Sequence, residues 1–333
     1  MDMRTLGKTD IRVSAICQGC WSIVGGFNWG PQDRSDSIAA LRTAFDAGIN
    51  FFDTASAYGD GQSEQLVAEA LAEQRHELVL ATKIRRSDLA PAELRKSCEQ
   101  SLRRLRTDCV DLLQIHWPSD EVPLADSLAE MQKLRKEGKI RAIGVSNFGR
   151  GYLAPALQTA EIVSNQIAFS LLFRGCEQHV QPLCAESGVS ILCYSPILQG
   201  LLAGKFSSAD DVPEDRARTR HFSSSRPHAL HGQAGCEAET FAAVKRIGQI
   251  AEQLGKPMAH VSLAWLLAQP AVTSAIAGAR NAAQAADNAA AGDLQLDEST
   301  LAALSEATEP VKSALGESID MWQADPSRSE RTD

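Results

Sequence analysis

Eight short apolar runs, separated by helix-like segments, recur along almost the whole chain, and this alternation is the feature that most constrains its fold. The runs are continuously apolar, as is typical of parallel strands that are buried on both faces. They lie at Ser14–Cys17, Phe51–Asp53, Leu78–Thr82, Val110–His116, Ala142–Ser146, Ile162–Gln166, Ser190–Tyr194 and Thr273–Ala277. Eight such units in 333 residues predict an α/β fold, a (β/α)8 TIM barrel.

The helix-like segments show where the units begin and end. Glycines that suit a helix C-terminus follow several of them, as at Gly48, Gly138 and Gly188. The segments lie at Asp33–Ala47, Gln62–Leu71, Ala92–Leu105, Leu124–Glu137, Leu153–Thr159, Gln178–Ser187, Thr240–Leu254, Met258–Leu267 and Ala282–Ala291. A β-hairpin, roughly Met3–Leu6 with Arg12–Val13, is predicted before the first barrel strand.

Two segments depart from this rhythm within the single domain, which we place at residues 1–324. Residues 199–237 follow the seventh strand and are irregular and rich in Ser, Arg, His and Gly. Connections longer than about 12–15 residues are usually functional or disordered. We therefore expect a cofactor or substrate loop there, disordered without cofactor and partly ordered with it. The polar run 325–333 predicts a disordered tail.

Composition argues against several classes of protein. The net charge of −9 argues against a nucleic-acid partner, which would need a basic face. No apolar run reaches the roughly 18 residues that span a membrane, and the N-terminus lacks the apolar core of a signal peptide. The chain is therefore expected to be cytoplasmic and to act on a small molecule, without a nucleic-acid or membrane partner. Its oligomeric state stays open.

Cysteine and histidine spacing predicts no metal site. The eight cysteines are scattered and several lie in apolar runs, which suits reduced thiols better than a disulfide scaffold. Cys17 and Cys20 have C-x-x-C spacing, but no second pair of cysteines or histidines offers zinc ligands. We interpret them as adjacent buried residues at a strand end.

Four proton-transfer groups stand at or just after successive strand ends: Asp53, Tyr58, Lys83 and His116. A barrel places all such positions on one face, so the four side chains are expected to converge. Tyr58 can act as a general acid, with the Lys83 cation lowering the pKa of its phenol. Asp53 can hold Lys83 in its charged form, and His116 can hydrogen-bond a substrate carbonyl. Taken singly, Lys83 could instead be a solvated rim charge and Asp53 a helix cap.

The motifs around these residues resemble those of the aldo-keto reductases. They are Phe-Asp-Thr-Ala-x-x-Tyr-Gly, Ala-Thr-Lys, Gln-Ile-His and Gly-Val-Ser-Asn-Phe, and the likeness extends from Leu-Gly-Lys-Thr near the N-terminus to about Asn288. The resemblance implies a (β/α)8 barrel that reduces aldehydes and ketones with a preference for NADP(H). It also implies that Asp53, Tyr58, Lys83 and His116 are the catalytic tetrad.

The resemblance also implies a set of cofactor-binding residues. Ser146, Asn147 and Gln166 would bond the nicotinamide carboxamide, and Tyr194 would stack on its ring. Backbone groups of the segment after the seventh strand would approach the pyrophosphate, at Ser195, Leu198, Gly200 and Leu201. The 2′-phosphate and adenosine would be bound by residues that follow the eighth strand, namely Gly278, Arg280, Gln284, Asp287 and Asn288. No Rossmann pattern with its acidic residue offers an alternative dinucleotide site.

The 2′-phosphate pocket departs from part of the family. Some members carry Lys-Ser where this chain has Gly278-Ala279, and Arg where it has Gln284. Arg280 is then the one evident cation, and an arginine at a helix N-terminus suits a phosphate. NADPH is therefore expected to be the preferred cofactor, with NADH tolerated.

Substrate contacts are expected from loops after the first strands. Trp21, Phe27 and Trp29 lie in the first loop, Arg86 follows Lys83, and Trp117 follows His116. We assign Trp21, Trp117 and Arg86 to the substrate pocket, because aromatic walls with a few cations suit a small polar carbonyl compound. The sequence around Trp21 resembles bacterial inositol- and sugar-operon reductases, which implies a carbohydrate-type aldehyde.

Two other functions compete with carbonyl reduction. The potassium-channel β-subunits resemble this family and keep the tetrad, which implies a cofactor-binding redox sensor or interaction protein as the alternative. The N-terminus offers no added segment of the kind that would serve as an inactivating plug, which favours the enzyme. A barrel aldolase would use Lys83 as a Schiff base, but Asp53 beside it would keep the amine charged.

Overall fold

The computed structural model describes residues 1–26, 29–323, 325, 328 and 329. Phe27, the boundary predicted at 324, and tail positions 326, 327 and 330–333 lie outside the described residues. Within the described part of the chain, no helix is long and apolar enough to cross a membrane.

Eight parallel strands close into a barrel, as predicted. Each strand pairs with the next in the chain, and the last pairs with the first, through Ala275 opposite Ile16. The strands are almost wholly buried, which explains their continuous apolar sequences. They are β3 (Ile16–Gly19), β4 (Phe51–Asp53), β5 (Val79–Ile84), β6 (Val110–Ile115), β7 (Ile140–Ser146), β8 (Ile162–Ala168), β9 (Ser190–Tyr194) and β10 (Val272–Gly278).

The predicted hairpin precedes the barrel as strands β1 (Met3–Thr5) and β2 (Arg12–Ser14), which pair antiparallel. Its apolar residues Leu6, Ile11 and Val13 are buried in one cluster with residues that point into the barrel, such as Phe51 and Leu112. The hairpin therefore plugs the amino end of the barrel. The carboxyl ends of the strands remain the open face.

Helices pack around the outside of the strands, and their apolar faces form the larger core cluster. Their starts follow ordinary capping chemistry: the Asp33 side chain accepts from two backbone N–H groups of the first helix. The helices are α1 (Arg34–Asp46), α2 (Gln62–Leu71), α3 (Pro91–Leu105), α4 (Leu124–Lys136), α5 (Arg150–Thr159), α6 (Val180–Ser187), α7 (Glu237–Gln253), α8 (Met258–Leu267), α9 (Ala282–Ala290) and α10 (Glu298–Leu315).

Helix α10 has no counterpart among the predicted segments. Asp297 caps its first turn by accepting from Thr300 N, and Leu304 and Val311 are buried on its inner face. The helix contains Pro310, a residue that usually argues against a helix interior. Its cap and apolar spacing were the sequence signals that could have revealed it.

The long connection after β9 is packed against the barrel rather than standing free. Arg220 is buried and donates to the backbone oxygens of Asp320 and Leu315, and buried His221 bonds Leu172 O. These contacts tie residues 199–237 to the end of α10, to the segment after it and to the loop after β8. Whether cofactor changes their order stays a prediction.

Candidate active site

A cavity of about 1020 Å³ opens at the carboxyl end of the barrel. It is bounded by strand ends, by the connection after β9 and by the segment after α10. The residues that line it include Trp21, Trp29, Asp53, Tyr58, His116, Trp117, Ser146, Asn147, Gln166, Tyr194, Ser195, Gly200, Lys205, Arg216, Arg218, Gly278, Arg280, Gln284, Asp287, Asn288, Trp322 and Arg328.

An ion pair lies at the base of this cavity. Lys83 on β5 is fully buried, and its Nζ lies 2.5 Å from Asp53 Oδ2 at the end of β4. It also donates to Thr54 O at 2.9 Å. Burial alone would lower the pKa of Lys83, but the Asp53 carboxylate and the Tyr58 phenol together outweigh it, and the pKa is raised. Lys83 is therefore a fixed cation at neutral pH, which disfavours a Schiff base.

Two glutamines hold the other carboxylate oxygen of Asp53. Gln166 Nε2 on β8 donates to Asp53 Oδ1 at 2.8 Å, and Gln114 Nε2 on β6 donates to it at 3.2 Å. All three side chains are buried. Sequence reasoning missed Gln114, although it stands two residues before His116. The bonds fix the carboxylate and leave its second oxygen to Lys83.

Tyr58 reaches the ion pair from a 3-10 turn after β4. Lys83 Nζ donates to Tyr58 Oη at 3.3 Å. Since the phenol oxygen accepts this bond, its own hydrogen is free to be donated into the cavity. The ring stacks on Trp21, with centroids 6.0 Å apart. This packing holds the hydroxyl at the cavity wall.

The net pKa shift of Tyr58 differs from the expectation. Burial raises the pKa of the phenol, and the opposing effect of Lys83 is the smaller of the two. Tyr58 is consequently protonated at neutral pH. It therefore carries the proton that a general acid would donate, and the Lys83 cation lies where it would stabilise a phenolate.

His116 directly follows β6 and lies edge-on to Tyr58, with ring centroids 5.8 Å apart. Burial, reinforced by the Lys83 and Arg85 cations, lowers its pKa to about 3. The imidazole is therefore neutral at physiological pH and keeps one N–H donor. Together, the four residues place a proton donor, a hydrogen-bonding imidazole and a buried cation around one point of the cavity.

The residues predicted for the nicotinamide converge beside this group, but they already bond one another. Tyr194 Oη donates to Asn147 Oδ1 at 3.0 Å, and Asn147 Nδ2 donates to His116 O. Ser146 Oγ donates to Gln166 O at 2.9 Å. Asn147 has a left-handed φ of 61°, a conformation that is uncommon outside glycine and often found at functional sites.

The segment after β9 is also strained, with positive φ at Ser195 (52°), Leu198 (42°), Gln199 (53°) and Gly200 (101°). Two of the backbone N–H groups predicted for the pyrophosphate are engaged within the turn. Leu198 N donates to Ser195 O, and Gly200 N donates to Ile197 O. Leu198 and Leu201 are buried and lie outside the residues that line the cavity, since their side chains pack into the core.

Side chains of the same region offer hydrogen-bond donors for an anion, and these residues were not predicted from the sequence. Lys205 and Arg216 line the cavity, and the Arg216 Nε and Gln199 Nε2 atoms are buried without a hydrogen-bond partner among the described residues. Buried polar atoms are usually satisfied, so these two fit a polar ligand. Their position in the long irregular connection was the available signal.

The cluster after β10 lies at the far end of the cavity. Arg280 Nε donates to Gln32 Oε1 at 2.7 Å, and its Nη2 donates to Pro31 O, so the guanidinium is held by the loop before α1. Gln284 Oε1 accepts from Arg280 N. In α9, Asp287 pairs with His260, and Asn288 donates to Gly278 O.

Glycine leaves space where β10 ends. A Cβ added at Gly278 would come within 3.1 Å of Ser22 Oγ, an atom that is buried without a hydrogen-bond partner among the described residues. The absence of a side chain at Gly278 thus leaves room in this part of the cavity beside the Ser22 hydroxyl. Together with the unpartnered atoms after β9, it fits an elongated polar ligand that runs from Tyr194 to Arg280.

Two of the three predicted substrate residues line the cavity. Trp21 stacks on Tyr58, and Trp117 lies under the guanidinium of Arg328, whose carbon is 4.3 Å from the indole centroid. Arg86 is exposed and lies outside the lining residues, because it begins a short turn beyond β5 that carries it to the rim.

The segment after α10 supplies residues that the sequence did not point to. Trp322 lies edge-on to Trp21, with centroids 6.3 Å apart, and Arg218 covers its other side at 4.5 Å. Arg328 pairs with buried Asp320 at 2.9 Å, and Ser329 O accepts from Gly149 N. Arg328 and Ser329 thus contact the barrel, within a run for which disorder was predicted.

No group of three or more metal-ligating side chains is found among the described residues. The cysteines are all free, and burial raises the pKa of Cys17 and Cys20, which stand at the end of β3. Both are therefore protonated thiols at neutral pH, which makes them poor nucleophiles.

Comparison with known proteins identifies the family to which this barrel belongs. The model of the aldo/keto reductase family matches residues 15–309. The chain belongs to the aldo/keto reductase family. It is 34% identical to the aldo-keto reductase YhdN of Bacillus subtilis over 295 residues, which cover 85% of this chain and 86% of that protein.

Other members of the family extend the similarity. The NADH-specific methylglyoxal reductase of Escherichia coli is 30% identical over 330 residues, covering 92% of this chain and 98% of that protein. A crystal structure of an aldo/keto reductase from Klebsiella pneumoniae, in complex with NADP and acetate, has a TM-score of 0.75 and 28% identity. That match covers 96% of this chain and all of the Klebsiella chain.

Proposed function

We propose that this protein reduces an aldehyde or ketone to an alcohol with NADPH, and that Tyr58 supplies the proton. The observation that carries the proposal is the Asp53–Lys83–Tyr58 chain, in which a buried cation donates to a phenol that faces a large cavity. Membership of an oxidoreductase family supports the same reaction.

The roles of the tetrad follow from its geometry. Tyr58 donates its hydrogen to the carbonyl oxygen as negative charge develops there, and Lys83 stabilises the phenolate that is left. Asp53, held by Gln114 and Gln166, keeps Lys83 protonated and in place. Neutral His116 donates a second hydrogen bond to the carbonyl oxygen and orients it. NADPH, when bound, supplies the hydride.

The cavity offers a place for each part of this cofactor. Ser146, Asn147 and Gln166 would hold the carboxamide through rearranged bonds, with Tyr194 beneath the ring. Lys205 and Arg216 would offset the pyrophosphate charge together with the turn at Ser195–Leu201. Arg280 would bind the 2′-phosphate. The NADP-bound relative and the NADH-specific relative support a preference for NADPH with tolerance of NADH.

Replacing Arg280 tests the cofactor assignment. In Arg280→Gln the dissociation constant for NADPH should rise roughly ten- to a hundredfold, since hydrogen bonds to charged groups contribute about 1.5–3 kcal/mol. The constant for NADH, which lacks the phosphate, should change little. Quenching of tryptophan fluorescence measures both in the same preparation, so NADH is the internal control. Equal weakening of both cofactors would contradict the assignment.

The connection 199–237 should respond to cofactor. We expect NADPH to slow limited proteolysis within this segment, because Lys205 and Arg216 would gain an anionic partner. The matched control is cleavage elsewhere in the chain, whose rate should not change. A cleavage rate in 199–237 that is the same with and without NADPH would count against a cofactor role for the segment.

The substrate is proposed to be a small polar carbonyl compound of carbohydrate type, since indole walls alternate with cations around the tetrad. The eight free cysteines support a cytoplasmic location. NADPH consumption with simple, aromatic and sugar-derived aldehydes tests the reaction. Turnover that favours sugar-derived aldehydes supports both parts of the proposal. NADPH binding without turnover of any aldehyde would favour a redox-sensing interaction protein instead.

A further inference from the structure

Two arginines lie on indole faces at the substrate side of the cavity, and they differ in one respect. Arg328 covers Trp117 and is paired with the buried carboxylate of Asp320 at 2.9 Å. Arg218 covers Trp322 at 4.5 Å, and its Nε is buried without a hydrogen-bond partner among the described residues. Among the described residues, a carboxylate is in ion-pair contact with Arg328 but not with Arg218.

Arg218 belongs to the wall that leads to the proton donor. Trp322 contacts Trp21, and Trp21 stacks on Tyr58, so three aromatic rings connect the guanidinium to the phenol. The one acidic group that acts on Arg218 electrostatically, among the described residues, is the nearby Asp215 in its own loop. Its planar face is taken by the indole, which leaves its edge for a ligand.

An arginine edge in a partly buried cavity suits a carboxylate or a phosphate. Guanidinium groups bind such anions through two parallel N–H bonds, and indole stacking holds the plane still. Leaving a buried N–H unpaired is unfavourable, so a ligand that pairs it gains affinity over one that does not.

We infer that Arg218 is the receptor for an anionic group at the far end of the substrate, so that the preferred substrates are aldehydes or ketones bearing a carboxylate or phosphate. The inference rests on the proposed reductase function and names its substrate class. The anionic group of the substrate would pair with Arg218 in the same way as the Asp320 carboxylate pairs with Arg328.

Matched substrate pairs test this inference. The value of kcat/KM is measured for 4-carboxybenzaldehyde against its methyl ester, and for glyceraldehyde 3-phosphate against glyceraldehyde. The wild type should favour at least one anionic member roughly tenfold or more, in line with a charge-assisted hydrogen bond. Which pair shows the larger preference distinguishes carboxylate from phosphate. Equal rates within both pairs would overturn the inference.

Variants of Arg218 test whether this residue causes the preference for anionic substrates. Arg218→Gln should bring the ratio within each pair close to one, whereas Arg218→Lys should keep part of it. The matched control is Arg246→Gln, which removes the same charge from an exposed site on α7. Because each ratio is measured within one preparation, partial misfolding does not alter it. If Arg218→Gln left the ratio of kcat/KM within each pair unchanged, the inference would be contradicted. It would also be contradicted if the variant lost NADPH affinity and slowed every substrate equally.

A binding measurement separates this inference from the reductase proposal. Quenching of tryptophan fluorescence by 4-methylbenzoate, which has no aldehyde, is followed in the presence of saturating NADP⁺. Binding that weakens in Arg218→Gln but not in Arg246→Gln supports the anion receptor even if no aldehyde is turned over. Binding that is the same in all three proteins overturns it, even if aldehydes are reduced.

Discussion

Tyr58→Phe should lower kcat by about 10²–10⁴-fold, the usual contribution of a general acid. The substitution removes the hydroxyl that accepts from Lys83 at the cavity wall, and it leaves the ring stacked on Trp21. Because the ring is retained, NADPH affinity should stay within a few-fold of the wild type. Steady-state kinetics with an accepted aldehyde, together with fluorescence titration of NADPH, measures both effects.

Tyr152→Phe is the matched control, because Tyr152 lies on α5 and bonds Asp120, away from the cavity lining. It should retain the turnover of the wild type. If Tyr58→Phe kept turnover within a few-fold of the wild type, another group would have to donate the proton, and the assignment of Tyr58 would fail.

Lys83→Met should damage both activity and stability. It leaves the Asp53 carboxylate buried without its cation, and breaking a buried ion pair by removing one partner costs about 3–5 kcal/mol. It also removes the charge that stabilises the Tyr58 phenolate, so turnover should fall at least as far as in Tyr58→Phe. Urea denaturation and steady-state kinetics measure the two losses.

The double variant Asp53→Asn/Lys83→Met separates these two effects. Removing both charges should recover most of the lost free energy of unfolding, while activity stays low because the phenolate still lacks its cation. Lys245→Met, at an exposed position on α7, controls for the substitution itself. A single Lys83→Met variant that unfolds at the wild-type urea concentration would show that the pair does not stabilise the fold.

Prediction from the sequence worked best where chemistry coincided with strand ends. Asp53 is the last residue of β4, Lys83 is the penultimate residue of β5, and His116 follows β6 directly. Since parallel strands in a barrel present all their carboxyl ends on one face, strand positions alone were enough to bring these residues together. Ser146 and Tyr194, which the family resemblance implied, also lie at strand ends, of β7 and β9.

Residues that reach the cavity from outside the strand pattern could not be placed in this way. Arg218 and Trp322 come from irregular segments, and their positions depend on long-range contacts such as those of Arg220 with the residues after α10. Arg86 was predicted to line the substrate pocket but lies outside the cavity lining. Its closeness to Lys83 in the sequence does not determine the direction in which the turn carries its side chain. Helix α10 was not predicted, although Asp297 caps it and its apolar residues have helical spacing.

The amino-acid sequence by itself determined the barrel and the four groups at its centre, because both depend on local periodicity and on residues at strand ends. The motifs around those residues, by their resemblance to a known family, indicated the class of enzyme. Only the tertiary structure decided how those groups are charged and what surrounds the substrate. Burial overrides the effect of Lys83 on the pKa of Tyr58 and holds His116 neutral. These pKa shifts depend on how deeply each group is buried, and the spacing of residues in the sequence does not determine burial.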